Sequence, residues 1–171
     1  AIESAKNAFP SWSKLKNSER SHWLEKISNG INDRLDKLAL AESIDNGKPL
    51  KLAKAVDIPR ARDNFKFYAT AIQHYASESH HTSEGMINFT LRKPVGVAAC
   101  ISPWNLPLYL FSWKIAPALA AGNTVVAKPS EITPMTAYLL SEICLEIGLP
   151  AGVLNIVHGL GTSTGNSIIS S

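Results

Sequence analysis

The sequence predicts an α/β protein in which N-terminal helices and a hairpin-arm strand lead into part of a doubly wound parallel sheet. Three observations carry this. Over residues 1–76, apolar side chains recur at spacings of three and four, the period of helices packed on one side. From Ile87 to Arg92 the spacing drops to two, the period of a strand. From Val95 onward, unbroken apolar runs of strand length alternate with helical stretches and short joins. That is the pattern of parallel strands covered on both faces.

The elements follow in order. Ile2, Ala5 and Phe9 predict a short first helix, closed by Pro10. Asn17 is placed to cap the second, Glu19 lies in its first turn, and Trp23, Ile27, Ile31, Leu35 and Leu38 form its stripe. Asp36 is expected to cap a further turn over Leu38–Ile44, which Asn46-Gly47 ends. A third long helix starts at Asp57 with Pro59 in its first turn and continues through Ile58, Ala61, Phe65, Tyr68, Ile72 and Tyr75. Trp23 and Tyr68 read as core, not cofactor contacts. The polar stretch Ser77–Gly85 reads as a solvated loop, because adjacent His80 and His81 point apart on any regular element and make a poor metal pair. Ile87, Phe89 and Leu91 share one face of a half-buried strand that Pro94 ends, suited to an arm laid against a neighbour. Val95–Ile101, Thr124–Ala127 and Val153–Val157 are the sheet strands. Leu108–Ala121 and Thr133–Ile147 are the crossover helices, and another helix opens after Gly165. The expected organisation is a helical part at 1–85, an arm strand at 86–94 and Rossmann-like βαβ units at 95–171.

Composition excludes several classes. Hydrophobic residues at 45% and charged residues at 18% suit a soluble globular chain and not a disordered one. Pro103, Pro107 and Lys114 interrupt the longest apolar stretch before it reaches the roughly 20 residues of a membrane helix. The net charge of +3 is spread along the chain without a basic cluster, so neither nucleic acid nor membrane is an expected partner. Cys100 and Cys144 lack metal-ligand spacing and sit in apolar patterns, reading as buried thiols of a cytoplasmic protein.

Polar residues that could carry chemistry cluster where strands end, the places where doubly wound folds bind ligands. In Pro103-Trp104-Asn105-Leu106-Pro107, two prolines stiffen the backbone around an amide. Asn105 either satisfies the turn's own backbone or donates to a developing oxyanion. In Lys128-Pro129-Ser130-Glu131, a lysine and a carboxylate follow the second strand, either as a solvated rim pair or as partners of a ribose diol. Gly159-Leu160-Gly161-Thr162-Ser163-Thr164-Gly165 is one residue longer than the dinucleotide fingerprint and follows the third strand. It is either a tight small-residue turn or a helix start offering N–H groups to phosphate.

The segments SPWNLP, KPSE and the Gly-rich turn, in this order and spacing, resemble the aldehyde dehydrogenase superfamily, as do AFPSWSKL, ESIDNGKPL and NFTLRKPVGV. The resemblance covers essentially the whole chain. Its wording around LPLYLFSWKIAPALAAGN is most similar to the branch oxidising muconic-type semialdehydes, such as 2-aminomuconic and 2-hydroxymuconic semialdehyde.

The resemblance implies oxidation of a small aldehyde to a carboxylate with NAD. It implies that Asn105 stabilises the oxyanion and that Ile101, Ser102, Pro103 and Trp104 line the nicotinamide-ribose side. It further implies that Lys128, Ser130 and Glu131 hold the adenosine ribose, and that Gly161 and Gly165 open the helix beneath adenine and pyrophosphate. Glu131 would repel a 2′-phosphate, favouring NAD over NADP. An Arg at the position of Arg60 pairs with a substrate carboxylate in the semialdehyde branch, although a first-turn surface role is the alternative. The family's nucleophilic cysteine and general-base glutamate lie farther along a family chain, and neither Cys100 nor Cys144 matches the nucleophile. The expectation is therefore the first part of a homodimeric or homotetrameric enzyme, inactive alone. The alternative is a non-catalytic nucleotide-binding or interaction module.

Overall fold

The computed structural model describes residues 1–171. Helices fill its first half: α1 (Ile2–Trp12), α2 (Asn17–Asp33), α3 (Leu35–Asn46), the single turn α4 (Leu50–Leu52) and α5 (Ile58–Gln73). A π-helical turn at Ala53–Asp57 joins α4 to α5. An antiparallel hairpin follows, β1 (Ser79–His81) with β2 (Ile87–Phe89). The second half alternates β3 (Val97–Ile101), α6 (Pro107–Ala120), β4 (Thr124–Lys128), α7 (Met135–Glu146) and β5 (Leu154–Ile156). A π-helical turn at Gly161–Gly165 then enters the short α8 (Asn166–Ile169).

β3, β4 and β5 form a parallel sheet in that order. The register runs from Val97 opposite Thr124 to Ile101 opposite Lys128, so β3 and β4 stop at one level and their loops leave the same edge. β4 is buried along its whole length. Val125 and Ala127 face the main core with Cys100 and the apolar sides of α6 and α7. Val126, with Val97 and Ala99, faces Ile2 and Phe9 of α1 across an open concavity.

The core continues from the sheet into the helical layer. Leu24, Ile27 and Ile31 of α2, Ile58 and Phe65 of α5, and Leu108, Phe111, Ile115 and Leu119 of α6 are fully buried in one cluster. Each such side chain contributes about 1.5–3 kcal/mol by leaving water. Close approach of α2 to α7 depends on Gly30, where a Cβ would stand 2.4 Å from Ile143 Cγ2.

The structure departs from the sequence pattern at several points. Pro10 does not close α1, which runs on to Trp12; that indole is buried and donates to the Leu119 carbonyl at 3.2 Å. Asn17 is the first helical residue of α2, not its cap. Glu19 instead accepts from the Lys16 N–H at 2.7 Å, while Asn17 donates to the Ile72 carbonyl. Asp36 lies inside the first turn of α3, which starts at Leu35. The stretch read as a loop contains β1, whose pairing with β2 is closed by Thr82 N–H to Met86 O at 2.9 Å. Backbone pairing holds this ribbon without burial, so the expected half-buried face at Ile87, Phe89 and Leu91 is instead exposed. β4 includes Lys128, which therefore ends the strand instead of following it.

Candidate functional site

At the end of β3 the sheet ladder continues one residue further, with the Ser102 N–H donating to the Lys128 carbonyl at 3.1 Å. Ser102 is buried and its Oγ has no hydrogen-bond partner. The Ile101 carbonyl accepts from Lys114 Nζ at 2.6 Å, a reach across from α6. Pro103, Trp104 and Asn105 are exposed. The turn is held from outside itself: Asn46 Nδ2 donates to the Trp104 and Asn105 carbonyls at 3.0 and 3.3 Å, and Thr133 Oγ1 donates to the Trp104 carbonyl at 3.1 Å. The hydrogen bonds that brace the turn do not include one from the Asn105 side-chain amide. Pro107 then occupies the first turn of α6, where its missing N–H is harmless.

The end of β4 is differently built. Lys128 is only 2% exposed, and its Nζ donates to Glu131 Oε2 and to the Pro129 carbonyl, each at 3.0 Å. A buried ammonium needs such partners. The other carboxylate oxygen, Oε1, accepts from the Gly161 N–H at 3.3 Å, and Ser130 Oγ accepts from the Ile132 N–H at 3.2 Å. Hydrogen bonding from its own backbone N–H, then from Lys128 and Gly161, holds the Glu131 carboxyl down at about 2. Gly165 lies against the Lys128 stem, where an added Cβ would meet Cδ at 4.0 Å. Lys128, Glu131, Gly161 and Gly165, separated in sequence, thus form one linked group. The solvated rim pair is not what the structure shows for Lys128.

Arg60 bonds to neither loop. Exposed on the first turn of α5, it donates from Nη1 to Tyr109 Oη at 3.3 Å, and its guanidinium lies 5.6 Å from the Tyr109 ring centroid. Tyr109 stacks on Trp113 at 5.3 Å, one turn along α6. Asn64 sets this crossing of helices by donating to Ser112 Oγ at 2.9 Å and to the Tyr109 carbonyl at 3.3 Å.

Sequence reasoning missed Tyr109, Trp113, Asn46, Thr133 and Lys114. Tyr109 and Trp113 were detectable as an aromatic pair four apart on a helix. In the sequence, Asn46 and Thr133 carry only the signals of a helix stop and a helix start. Neither cysteine suits a nucleophile: burial pushes the Cys100 thiol up to about 11 and the Cys144 thiol up to about 12. No three His, Cys, Asp or Glu side chains converge as metal ligands would, and no helix is long and apolar enough to cross a membrane.

Comparison with known proteins gives a consistent result. The model of the aldehyde dehydrogenase family matches residues 1–171. A 2-aminomuconic semialdehyde dehydrogenase of Bos taurus is 50% identical over 171 residues, covering 99% of this chain and 35% of that protein. A 2-hydroxymuconic semialdehyde dehydrogenase of Pseudomonas sp. (strain CF600) is 45% identical over 175 residues, covering 99% of this chain and 36% of that protein. The crystal structure of PnpE from Pseudomonas sp. WBC-3 superposes with a TM-score of 0.94 at 39% identity, over 99% of this chain and 35% of its own. PnpE in complex with nicotinamide adenine dinucleotide gives 0.95 at 39% identity, with the same coverage. The chain thus spans about a third of the length of the relatives it matches.

Proposed function

The chain belongs to the aldehyde dehydrogenase family, and from that premise we propose that the intact protein oxidises an aldehyde to a carboxylate with NAD. In this reading the 171 residues supply the cofactor cradle and the oxyanion donor. The observation that carries it is the common edge of β3 and β4. There the Asn105 amide, not used in bracing its turn, shares an edge with the linked Lys128–Glu131–Gly161 group. NAD bound there would supply the hydride acceptor.

The residues fit that cofactor. An ammonium donor beside a carboxylate acceptor complements two vicinal ribose hydroxyls, and a carboxylate held ionised disfavours a 2′-phosphate. Gly161 is exposed where a pyrophosphate would approach, buried Gly165 lets the turn beneath it pack on the Lys128 stem, and Ser130 pins the loop. Ile101, Ser102, Pro103 and Trp104 line the nicotinamide-ribose side, with Ser102 buried and its N–H held by the Lys128 carbonyl. Asn105 donates to the carbonyl oxygen as negative charge develops there. The nucleophile and general base come from outside these residues, so the chain alone is inactive.

Arg60 receives the remote carboxylate of a muconic-type semialdehyde. The relatives' substrates support that choice, as does an exposed guanidinium already oriented by Tyr109. The chain divides into a helical part at 1–85, an arm strand at 86–94 and βαβ units at 95–171, with β1 at the end of the first part pairing with the arm. Exposed Ile87, Phe89 and Leu91 on that arm support a homodimer or homotetramer. The buried, unpaired thiols of Cys100 and Cys144 support a cytoplasmic location.

The test is NADH formation by the intact protein, using a carboxylate-bearing semialdehyde and a neutral aldehyde of equal length. The expected result is preference for the former, with Arg60→Ala reducing kcat/KM for it by about 10- to 100-fold, the worth of a charged hydrogen bond. Equal use of both aldehydes, unchanged by the substitution, contradicts the substrate assignment. NAD binding without turnover on any aldehyde contradicts the enzyme.

A further inference from the structure

We propose that Asn46 is a positioning residue that aims the Asn105 amide; this rests on Asn105 being the oxyanion donor. Asn46 is the last residue of α3, and Gly47 at φ 76° turns the chain away after it, leaving the amide facing the β3 loop. Its single NH₂ group lies within hydrogen-bond distance of two successive carbonyls, Trp104 O at 3.0 Å and Asn105 O at 3.3 Å. An amide nitrogen carries two N–H donors, so both contacts can be made at once. The Trp104 carbonyl belongs to the peptide plane before the Asn105 Cα, and the Asn105 carbonyl to the plane after it. Fixing both planes fixes the direction in which Cβ leaves the backbone, and so limits the side-chain amide to the few rotamers open from that Cβ. Thr133 Oγ1 shares the Trp104 carbonyl and holds the same plane from the side of α7.

The clamp is mounted on a braced element. Ser43 Oγ donates to the Lys48 carbonyl at 2.7 Å across the end of α3. Lys48 Nζ sits 2.9 Å from Asp57 and 3.5 Å from Glu42, both buried, which ties that end to the start of α5. Asp45, beside Asn46, accepts the Met135 N–H at 2.7 Å and ties it to α7. A site held by residues that are themselves fixed keeps its geometry. A misplacement of about 1 Å costs about 100-fold in rate.

Asn46→Ala and Asn46→Asp are compared in the intact protein, the second keeping the shape of the side chain while removing its N–H donors. Each is expected to lower kcat about 10- to 100-fold, while the NAD dissociation constant stays within about twofold. In an Asn105→Ala background, adding Asn46→Ala is expected to change kcat no further, because the group it aims is gone. An equal loss in both backgrounds, or a loss of NAD binding and melting temperature that matches the loss of kcat, makes Asn46 a structural cap and overturns the proposal. A crippled Asn105→Ala with a silent Asn46→Ala overturns this inference alone. An unaffected Asn105→Ala overturns the assignment of Asn105 and this inference with it.

Discussion

The two loops at the shared edge solve opposite problems. After β4, the polar groups have satisfied one another: Lys128 holds Glu131, and Glu131 holds Gly161. After β3, the backbone is held by groups from elsewhere, Asn46, Thr133 and Lys114. The Asn105 amide stays outside that bracing, and the Ser102 hydroxyl has no partner. The difference teaches what each loop is suited to do. A ligand that binds in the same form throughout a reaction suits a preformed donor–acceptor pair. A charge that exists only fleetingly suits a donor kept in place and otherwise unoccupied, since no existing bond must break when the charge appears.

Three substitutions separate the two loops. Asn105→Ala in the intact protein should lower kcat by about 100- to 1,000-fold, the usual loss for one oxyanion donor, in steady-state assays with saturating NAD. Lys128→Met keeps the buried stem and removes the ammonium. It should weaken NAD binding by about 10- to 100-fold, the worth of a charged hydrogen bond, with a smaller effect on kcat.

Glu131→Gln should act mainly through acid stability. The Glu131 carboxyl sits at about 2 in the folded chain against an ordinary 4.5, so the folded state favours its ionised form. Its stabilising contribution is complete above 4.5 and fades as pH falls toward about 2. Urea midpoints measured at about pH 5 and about pH 3 should therefore fall less steeply for the Gln variant than for the parent. An equal fall in both means that the link to Lys128 and Gly161 is absent in solution.

The sheet was legible because its physics is local. Apolar runs of strand length at Val95–Ile101 and Thr124–Ala127, with a glycine stop between them at Gly122, permit few other structures, and the strands form within a residue or two of those bounds, at Val97–Ile101 and Thr124–Lys128. The hairpin was not, because backbone pairing holds β1 and leaves no burial pattern in Ser79, His80 and His81. Pro10 misled for a related reason, since the burial of Trp12 two residues later carries α1 past it. Among site residues, Asn105 and Glu131 were readable by type and position at strand ends. The burial of Lys128 was not, as nothing local distinguishes a core ammonium from a surface one until its partners are placed. Asn46 was hidden by a gap of 59 positions between its amide and the Asn105 carbonyl.

If the two loops divide the labour, a titration of NAD into the Asn105→Ala and Lys128→Met variants of the intact protein separates them. The expected result is parent-like affinity for Asn105→Ala and affinity weakened by about 10-fold or more for Lys128→Met. If Asn105→Ala weakens NAD as much as Lys128→Met does, the loops form one undivided binding surface and the account is wrong.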